Sequence, residues 1–322
     1  MKFAMAYFFP EHEVKIPLAR QLGVTEAVTN ANRGYGDQPW LPEPFGRKVA
    51  HFAEMGLHVS VVESPTPLEA VKLGIDGRDE EIERFIAFLD TMERLDIHTV
   101  CYNWMPVIGW FRSRKGIETR GGAKVCGFDY DDVKELPTTE YGIVPPERMW
   151  ANLDYFLDAV LPEAEKRGIV MALHPDDPPV PQIRGISRLF INAEAFRELF
   201  RRHPSEYNCM TMCQGSFAAA GENVPALIRE FGDRIAFAHF RDVRGSAVHF
   251  EETFHDDGMT DMYACMKAYD EIGFEGCLRP DHVPVMAGED DKNTGYSILG
   301  NLFAIGYMRG LYEAVQKQAG EN

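Results

Sequence analysis

Four side chains able to hold a divalent cation stand at the ends of four successive apolar segments: His174 in MALHPDDPP, Cys213 in MTMCQGS, His239 in FAHFRDVRG and Asp281 in LRPDH. Two imidazoles, a thiolate and a carboxylate suit Zn²⁺ or Fe²⁺ by ligand softness, and the carboxylate with open positions also admits Mn²⁺. A cation so held is a Lewis acid that polarises a substrate oxygen and acidifies the carbon beside it. Singly, each residue has a plainer explanation, since a strand His or Cys is commonly packed and inert and an Asp after a strand can cap a turn. Four of them at one level of consecutive strands are hard to obtain from packing alone.

Alternation along a strand puts Arg241 on the face of His239 and Arg279 on the face of Asp281. These two guanidiniums are expected to grip a substrate carboxylate, the alternative being pairing with Asp242, Asp176 or Asp177. His282, next to Asp281, should point away from it and serve as an acid or base beside the cation. Tyr296 in NTGYSILG, at the expected start of the last helix, is a second proton carrier unless it is a core tyrosine, and the helix N-terminus would favour its anionic form. His255 in ETFHDDGMTDM is a further candidate for proton transfer or substrate contact. Glu63 and Asn103 close the third and fourth strands, where they could hold substrate hydroxyls, and Glu63 could equally be a structural anchor.

The elements that must position these groups alternate along the chain. Strands are expected at Lys2–Phe8, Val24–Thr29, Leu57–Glu63, Ile97–Asn103, Ile169–His174, Cys209–Cys213, Ile235–Phe240 and Cys277–Asp281. Segments of helical period separate them, around Ile16–Leu22, Pro44–Met55, Arg78–Leu95, Pro146–Lys166, Ala193–Arg202, Val224–Phe231, Asp261–Ile272 and, last, Tyr296–Gln318. Eight strands alternating with eight helices predict an α/β fold, a single (β/α)₈ TIM barrel spanning 1–322, rather than an open doubly wound sheet. The stretch 105–145 has little periodicity and is too long for an ordinary connection. It reads as an irregular insertion after strand four, a lid or other functional excursion.

Composition removes other classes. With 33 Lys+Arg against 50 Asp+Glu, a net charge of -17, the chain is a poor ligand for nucleic acid or anionic membrane, whose binding rests on basic side chains. No apolar run reaches the roughly 18–20 residues that span a bilayer. The apolar start, Phe3 to Phe9, lacks the basic flank and small-residue cleavage site of a signal peptide. Six dispersed cysteines (Cys101, Cys126, Cys209, Cys213, Cys265, Cys277) read as reduced thiols in a cytoplasm. Neither a GxGxxG nor a Walker-type loop is present, so nucleotide binding has no motif behind it.

These segments resemble the mannonate dehydratase family, barrel enzymes of hexuronate breakdown related in fold to xylose isomerase. The similar stretches are SVVES (60–64), TVCYNWMPVIGW (99–110), MALHPDDPP (171–179), TMCQGS (211–216), HFRDVRG (239–245), ETFHDDGMTDM (252–262), RPDH (279–282) and NTGYSILG (293–300). The resemblance implies dehydration of D-mannonate to 2-keto-3-deoxy-D-gluconate with Mn²⁺ or Fe²⁺, with His174, Cys213, His239 and Asp281 as ligands and His282 and Tyr296 as the acid/base pair. It also implies a small sugar acid as the partner molecule and association into a homo-oligomer, the aromatics of Trp104–Phe111 serving a lid or an interface. The chain departs from the family near its start: Ala6-Tyr7-Phe8-Phe9-Pro10 replaces a WYGP-type segment, and the histidine pair after strand two is absent from TNANRGYGDQPW (29–40). A dehydratase for a related aldonic acid, a sugar isomerase or epimerase of the same barrel superfamily, and a non-catalytic ligand-binding barrel are the alternatives. The Cys213 ligand counts against the isomerase, whose relatives favour carboxylate-rich sites.

Overall fold

The computed structural model describes residues 1–33, 36–290 and 295–320. Eight short strands lie parallel: β1 (Lys2–Tyr7), β2 (Glu26–Thr29), β3 (His58–Glu63), β4 (Thr99–Asn103), β5 (Val170–His174), β6 (Asn208–Cys213), β7 (Ile235–Phe240) and β8 (Cys277–Pro280). Each pairs with its sequence neighbours and β1 pairs with β8, which closes the sheet into a barrel. Parallel neighbours demand crossovers, and the helical segments supply them. The expected strands all form, within a few residues at either end.

Alternation divides each strand between two cores. Ala4 and Ala6 of β1, Val28, Val61, Cys101, Ala172, Phe237 and Cys277 form a cluster of mostly small residues inside the barrel. The other faces pack outward on the helices, as Met5 and Tyr7 do, and Met171 and Leu173. Continuing the inward row one step toward the strand ends gives Glu63, Asn103, His174, Cys213, His239 and Arg279. Register confirms that these are neighbours: Asn103 lies opposite His174, Cys213 opposite His239, and His239 opposite Arg279.

Ten α-helices surround the sheet among the described residues, two more than expected because short ones precede the main crossovers after β3 and β6. They are α1 (Ile16–Gln21), α2 (Pro42–Glu54), α3 (Glu69–Leu73), α4 (Arg78–Arg94), α5 (Pro146–Lys166), α6 (Ala193–Arg202), α7 (Gln214–Ala219), α8 (Val224–Phe231), α9 (Met262–Glu271) and α10 (Ile298–Gly320). None is long and apolar enough to cross a membrane. Of the NTGYSILG stretch, Asn293 and Thr294 lie outside the described residues, as do Gly34 and Tyr35 of TNANRGYGDQPW.

The insertion differs from its expected irregular form. Strands Arg114–Glu118 and Lys124–Asp129 pair with each other, and Lys124–Asp129 pairs with His249–Glu252 from the loop after β7, giving a four-stranded antiparallel sheet completed by Val243–Ser246. Arg-Lys-Gly-Ile-Glu is too polar and exposed to show a core-facing alternation, and the second partner of Lys124–Asp129 is more than a hundred residues away, so local pattern could not reveal the sheet. Nor are the aromatics of Trp104–Phe111 an exposed cluster. Trp104 is fully buried and donates its Nε1–H to Met149 O (3.1 Å), while Trp110 alone among them is exposed.

Arg112 ties this sheet to the barrel. Its buried guanidinium donates through Nη1 and Nη2 to Asp177 (2.6 and 2.9 Å), and through Nε to Glu252 (2.9 Å). Removing one partner of a buried ion cluster leaves the others desolvated and underpaired. Arg112→Met is therefore expected to cost roughly 3–5 kcal/mol in a urea unfolding titration; a loss below about 1 kcal/mol would show that the remaining cation balances the cluster without it.

Candidate metal and sugar-acid site

At the C-terminal ends of the strands a cavity of about 890 Å³ opens, lined among others by Glu63, Asn103, His174, His239, Arg279, Asp281, His282 and Tyr296. The ligand atoms of His174, Cys213 and His239 lie within 4.8 Å of one another. Asp281 joins them through an oxygen 3.5 Å from His239 Nδ1. Three of the expected four thus converge and Asp281 borders them at His239, and the donor chemistry fits a divalent cation.

Their protonation suits the same role. His174 donates Nδ1–H to Pro175 O (2.6 Å), which fixes the ring with Nε2 turned toward His239 Nδ1 at 3.1 Å. Burial and Arg279 oppose a charge on His239, yet Glu63 and Asp281 outweigh them and push its pKa up to about 10. A proton therefore sits between the groups that would share a cation. Burial alone would raise the Cys213 thiol, but Arg241 and then His174 carry it well below the ordinary thiol range, which makes a thiolate. Asp281 is likewise held well below the carboxylate range against its burial, chiefly by His282, Arg279 and His239. Glu63, Cys101 and His239 make a second trio of comparable spacing, although Glu63 is taken up by Arg279 at 2.8 and 3.0 Å.

Both arginines carry internal partners. Arg241 points inward, but it donates Nη1 to Glu252 (2.6 and 2.7 Å), Nη2 to Asp177 (2.6 Å) and Ser216 (3.1 Å), and Nε to Cys213 Sγ (3.3 Å), with Asp281 3.1 Å away. All five donors are in use, and the residue is absent from the cavity wall. Arg279 does reach the wall, yet it serves Glu63, Pro280 O and Asp281. Both act as internal counter-ions, so the pairing alternative holds, with Asp177 as the one anticipated partner.

Other expected residues fall in differing places. His282 adopts a left-handed backbone (φ 42°), which turns Nδ1 onto Glu252 Oε1 (3.0 Å) and leaves Nε2 3.6 Å from Asp281, under the ring of Trp110. Tyr296 lies two residues before α10, its hydroxyl 3.5 Å from Asp281. Enclosure and then Asp281 raise its pKa, so it is a neutral phenol and not the anion that a helix N-terminus would favour. His255 is fully buried behind β7, stacked 6.4 Å from Phe240, where burial lowers its pKa to about 4; it does not line the cavity. Asn103 lines the cavity and accepts from Lys72 and Met105 N.

Glu252, Arg112 and Lys72 carry geometry that the sequence reading missed. For Glu252 a signal existed: in HFEETF, alternation places it on the same face as Phe250 and Phe254, an acid among core aromatics. Gly215 has a related purpose, since a Cβ there would come within 2.9 Å of three Arg241 atoms. Gly215→Ala is expected to destabilise the fold by about 1–3 kcal/mol through that overlap, measured by urea unfolding. An unchanged midpoint would show that Arg241 can move aside freely.

Fold and cluster together define a metal-competent (β/α)₈ barrel enzyme with its chemistry at the strand ends. Comparison with known proteins narrows the class: the D-mannonate dehydratase (UxuA) family profile matches residues 1–141 and 137–322, and the chain belongs to that family. It is 32% identical over 348 aligned positions to mannonate dehydratase 2 of Halalkalibacterium halodurans, covering 98% of this chain and 99% of that one. Identity to the mannonate dehydratase of Oceanobacillus iheyensis is 34%, over 86% of each. The crystal structure of mannonate dehydratase from Streptococcus suis serotype 2 superposes with a TM-score of 0.89 at 32% identity, covering 99% of this chain and 96% of that one. A D-tagatose 3-epimerase-like protein, 15% identical with a TM-score of 0.66 over 99% of this chain and all of that one, shares the fold.

Proposed function

We propose that this chain is a hydro-lyase that converts D-mannonate to 2-keto-3-deoxy-D-gluconate and water, with a divalent cation, Mn²⁺ or Fe²⁺, held by His174, Cys213, His239 and Asp281. Supporting it above all is the meeting of His174, Cys213 and His239 within 4.8 Å of one another, with His174, His239 and Asp281 on the wall of a cavity of about 890 Å³. When bound, the cation supplies Lewis acidity toward the substrate's carboxylate and adjacent hydroxyl. Zn²⁺ fits the same donors by type.

The chain's own groups move the protons. Glu252 accepts from His282 Nδ1 and so orients the ring, whose Nε2 takes the proton on C2. Tyr296, a neutral phenol, gives its proton to the hydroxyl leaving C3, and tautomerisation of the enol yields the keto acid. Glu63 acts as an anchor for Arg279 and His239. The sheet containing 114–129, carrying Arg112 and preceded by Trp110, forms the lid of a single catalytic domain. A cytoplasmic setting agrees with six free, buried cysteines, and self-association follows the resemblance.

A related aldonic acid is the second reading, favoured by Asn32 and Arg33 on the cavity wall in the segment where the chain departs from the family pattern. Incubating the Mn²⁺-loaded protein with a panel of aldonic acids, and assaying 2-keto-3-deoxy acid by the thiobarbiturate colour reaction, tests both. Product is expected from D-mannonate. Absence of product from it and from every C2 and C3 epimer overturns the dehydratase reading.

The residue roles separate by metal analysis. Cys213→Ser and His239→Asn are expected to lose bound metal, whereas Tyr296→Phe keeps it and loses roughly 10²–10⁴-fold in kcat. Full metal occupancy in the first two variants would refute the ligand assignment.

A further inference from the structure

With Arg241 and Arg279 committed to internal carboxylates and a thiolate, the side-chain cations left on the cavity wall are the exposed Arg33 and Lys115 and the buried Lys72. Lys72 is placed to meet the negative charge of a sugar acid. It lies on α3, the short helix after β3, its side chain only 7% exposed, and it lines the cavity. Its ammonium donates to Asn103 Oδ1 at 3.0 Å, and Asn103 is paired across the sheet with His174. One side chain thus separates the lysine from the metal-competent cluster.

The ammonium has capacity to spare. Of its three donors, one serves Asn103 and one faces Glu69 at 3.5 Å, an acid that is half exposed and whose other oxygen accepts from Val107 N (2.7 Å). Asn103 Oδ1 also accepts from Met105 N at 3.1 Å, which sets the amide and turns Nδ2 the opposite way. Burial acts against the charge and lowers the pKa of Lys72, a cost that a bound anion would offset. By contrast Lys15, equally buried, is spent on Ala6 O at 3.1 Å and is absent from the cavity wall.

We propose that Lys72, oriented by Asn103, binds the carboxylate of the sugar acid and so provides the charge selection that the two arginines do not. This rests on the dehydratase reading for the identity of the substrate. The geometry assigns Lys72 to binding and leaves proton transfer to His282 and Tyr296.

The test compares Lys72→Met and Lys72→Arg with the unaltered protein, all Mn²⁺-loaded. Lys72→Met is expected to raise KM for D-mannonate roughly 10–100-fold, the worth of one charged hydrogen bond, with kcat and metal stoichiometry little changed. Lys72→Arg should stay within several-fold of the unaltered KM. D-Mannitol, which offers the polyol without the carboxylate, should compete equally well against both. An unchanged KM, a KM and mannitol inhibition constant that rise together, or a collapse of kcat at constant KM would each overturn the proposal. Should Lys72→Met not fold, Lys72→Gln carries the comparison. Product formation by the unaltered protein is scored separately, and its absence overturns the dehydratase reading instead. In that event calorimetric binding of D-mannonate still decides for Lys72: weaker binding by the Met variant supports it, while equal binding, or none by either protein, overturns it.

Discussion

A single buried guanidinium organises the mouth of this barrel. Arg241 contacts the Cys213 thiolate, Asp281, Asp177 and Glu252, drawing one group from β6, one from beside β8, one from the loop after β5 and one from the antiparallel sheet. Removed from water, each anion alone would cost several kcal/mol; together around one planar cation, with Arg112 as a second, they keep their charges. The consequence is chemical as well as structural, because Cys213 and Asp281 are useful ligands only when deprotonated. The small residue at 215 and the left-handed turn at His282 are what this arrangement asks of the chain around it.

Charge is therefore distributed in an unusual sense. A chain with a net charge of -17 repels an anionic sugar acid at long range, and the strongest internal cations are spent on the protein's own acids. Attraction is left to a short-range set at the cavity: the cation cluster, the buried Lys72 and the rim. Such a site selects at contact distance and gains little from long-range steering, which salt would screen beyond about 8–10 Å in any case.

Much of this was legible in the residues. His174, Cys213, His239 and Asp281 could be placed because strand ends and period-two alternation are local signals, and a closed parallel barrel sends every such end to one face. Alternation also gave Arg241 and Arg279 their inward direction. It could not give their partners, since Asp177 and Glu252 lie 64 and 11 residues from Arg241 and meet it only through the closed sheet and its roof. The 114–129 hairpin was hidden for a related reason, its first strand being polar and exposed and its second completing the sheet only with residues near 250. Tyr296 stands on the cavity wall, but its ionisation is not a local signal: the helix begins two residues later, and enclosure beside Asp281 outweighs any helix dipole. His255 sat in a suggestive motif but packs behind β7, a distinction that only three-dimensional burial makes.

The central claim is that a cation in this barrel is bound through the Cys213 sulfur together with imidazole and carboxylate. X-ray absorption at the metal edge of the reconstituted protein reads that directly. One sulfur scatterer, at roughly 2.3 Å if the metal is zinc, beside a nitrogen and oxygen shell is the predicted result. A shell of oxygen and nitrogen alone would contradict it.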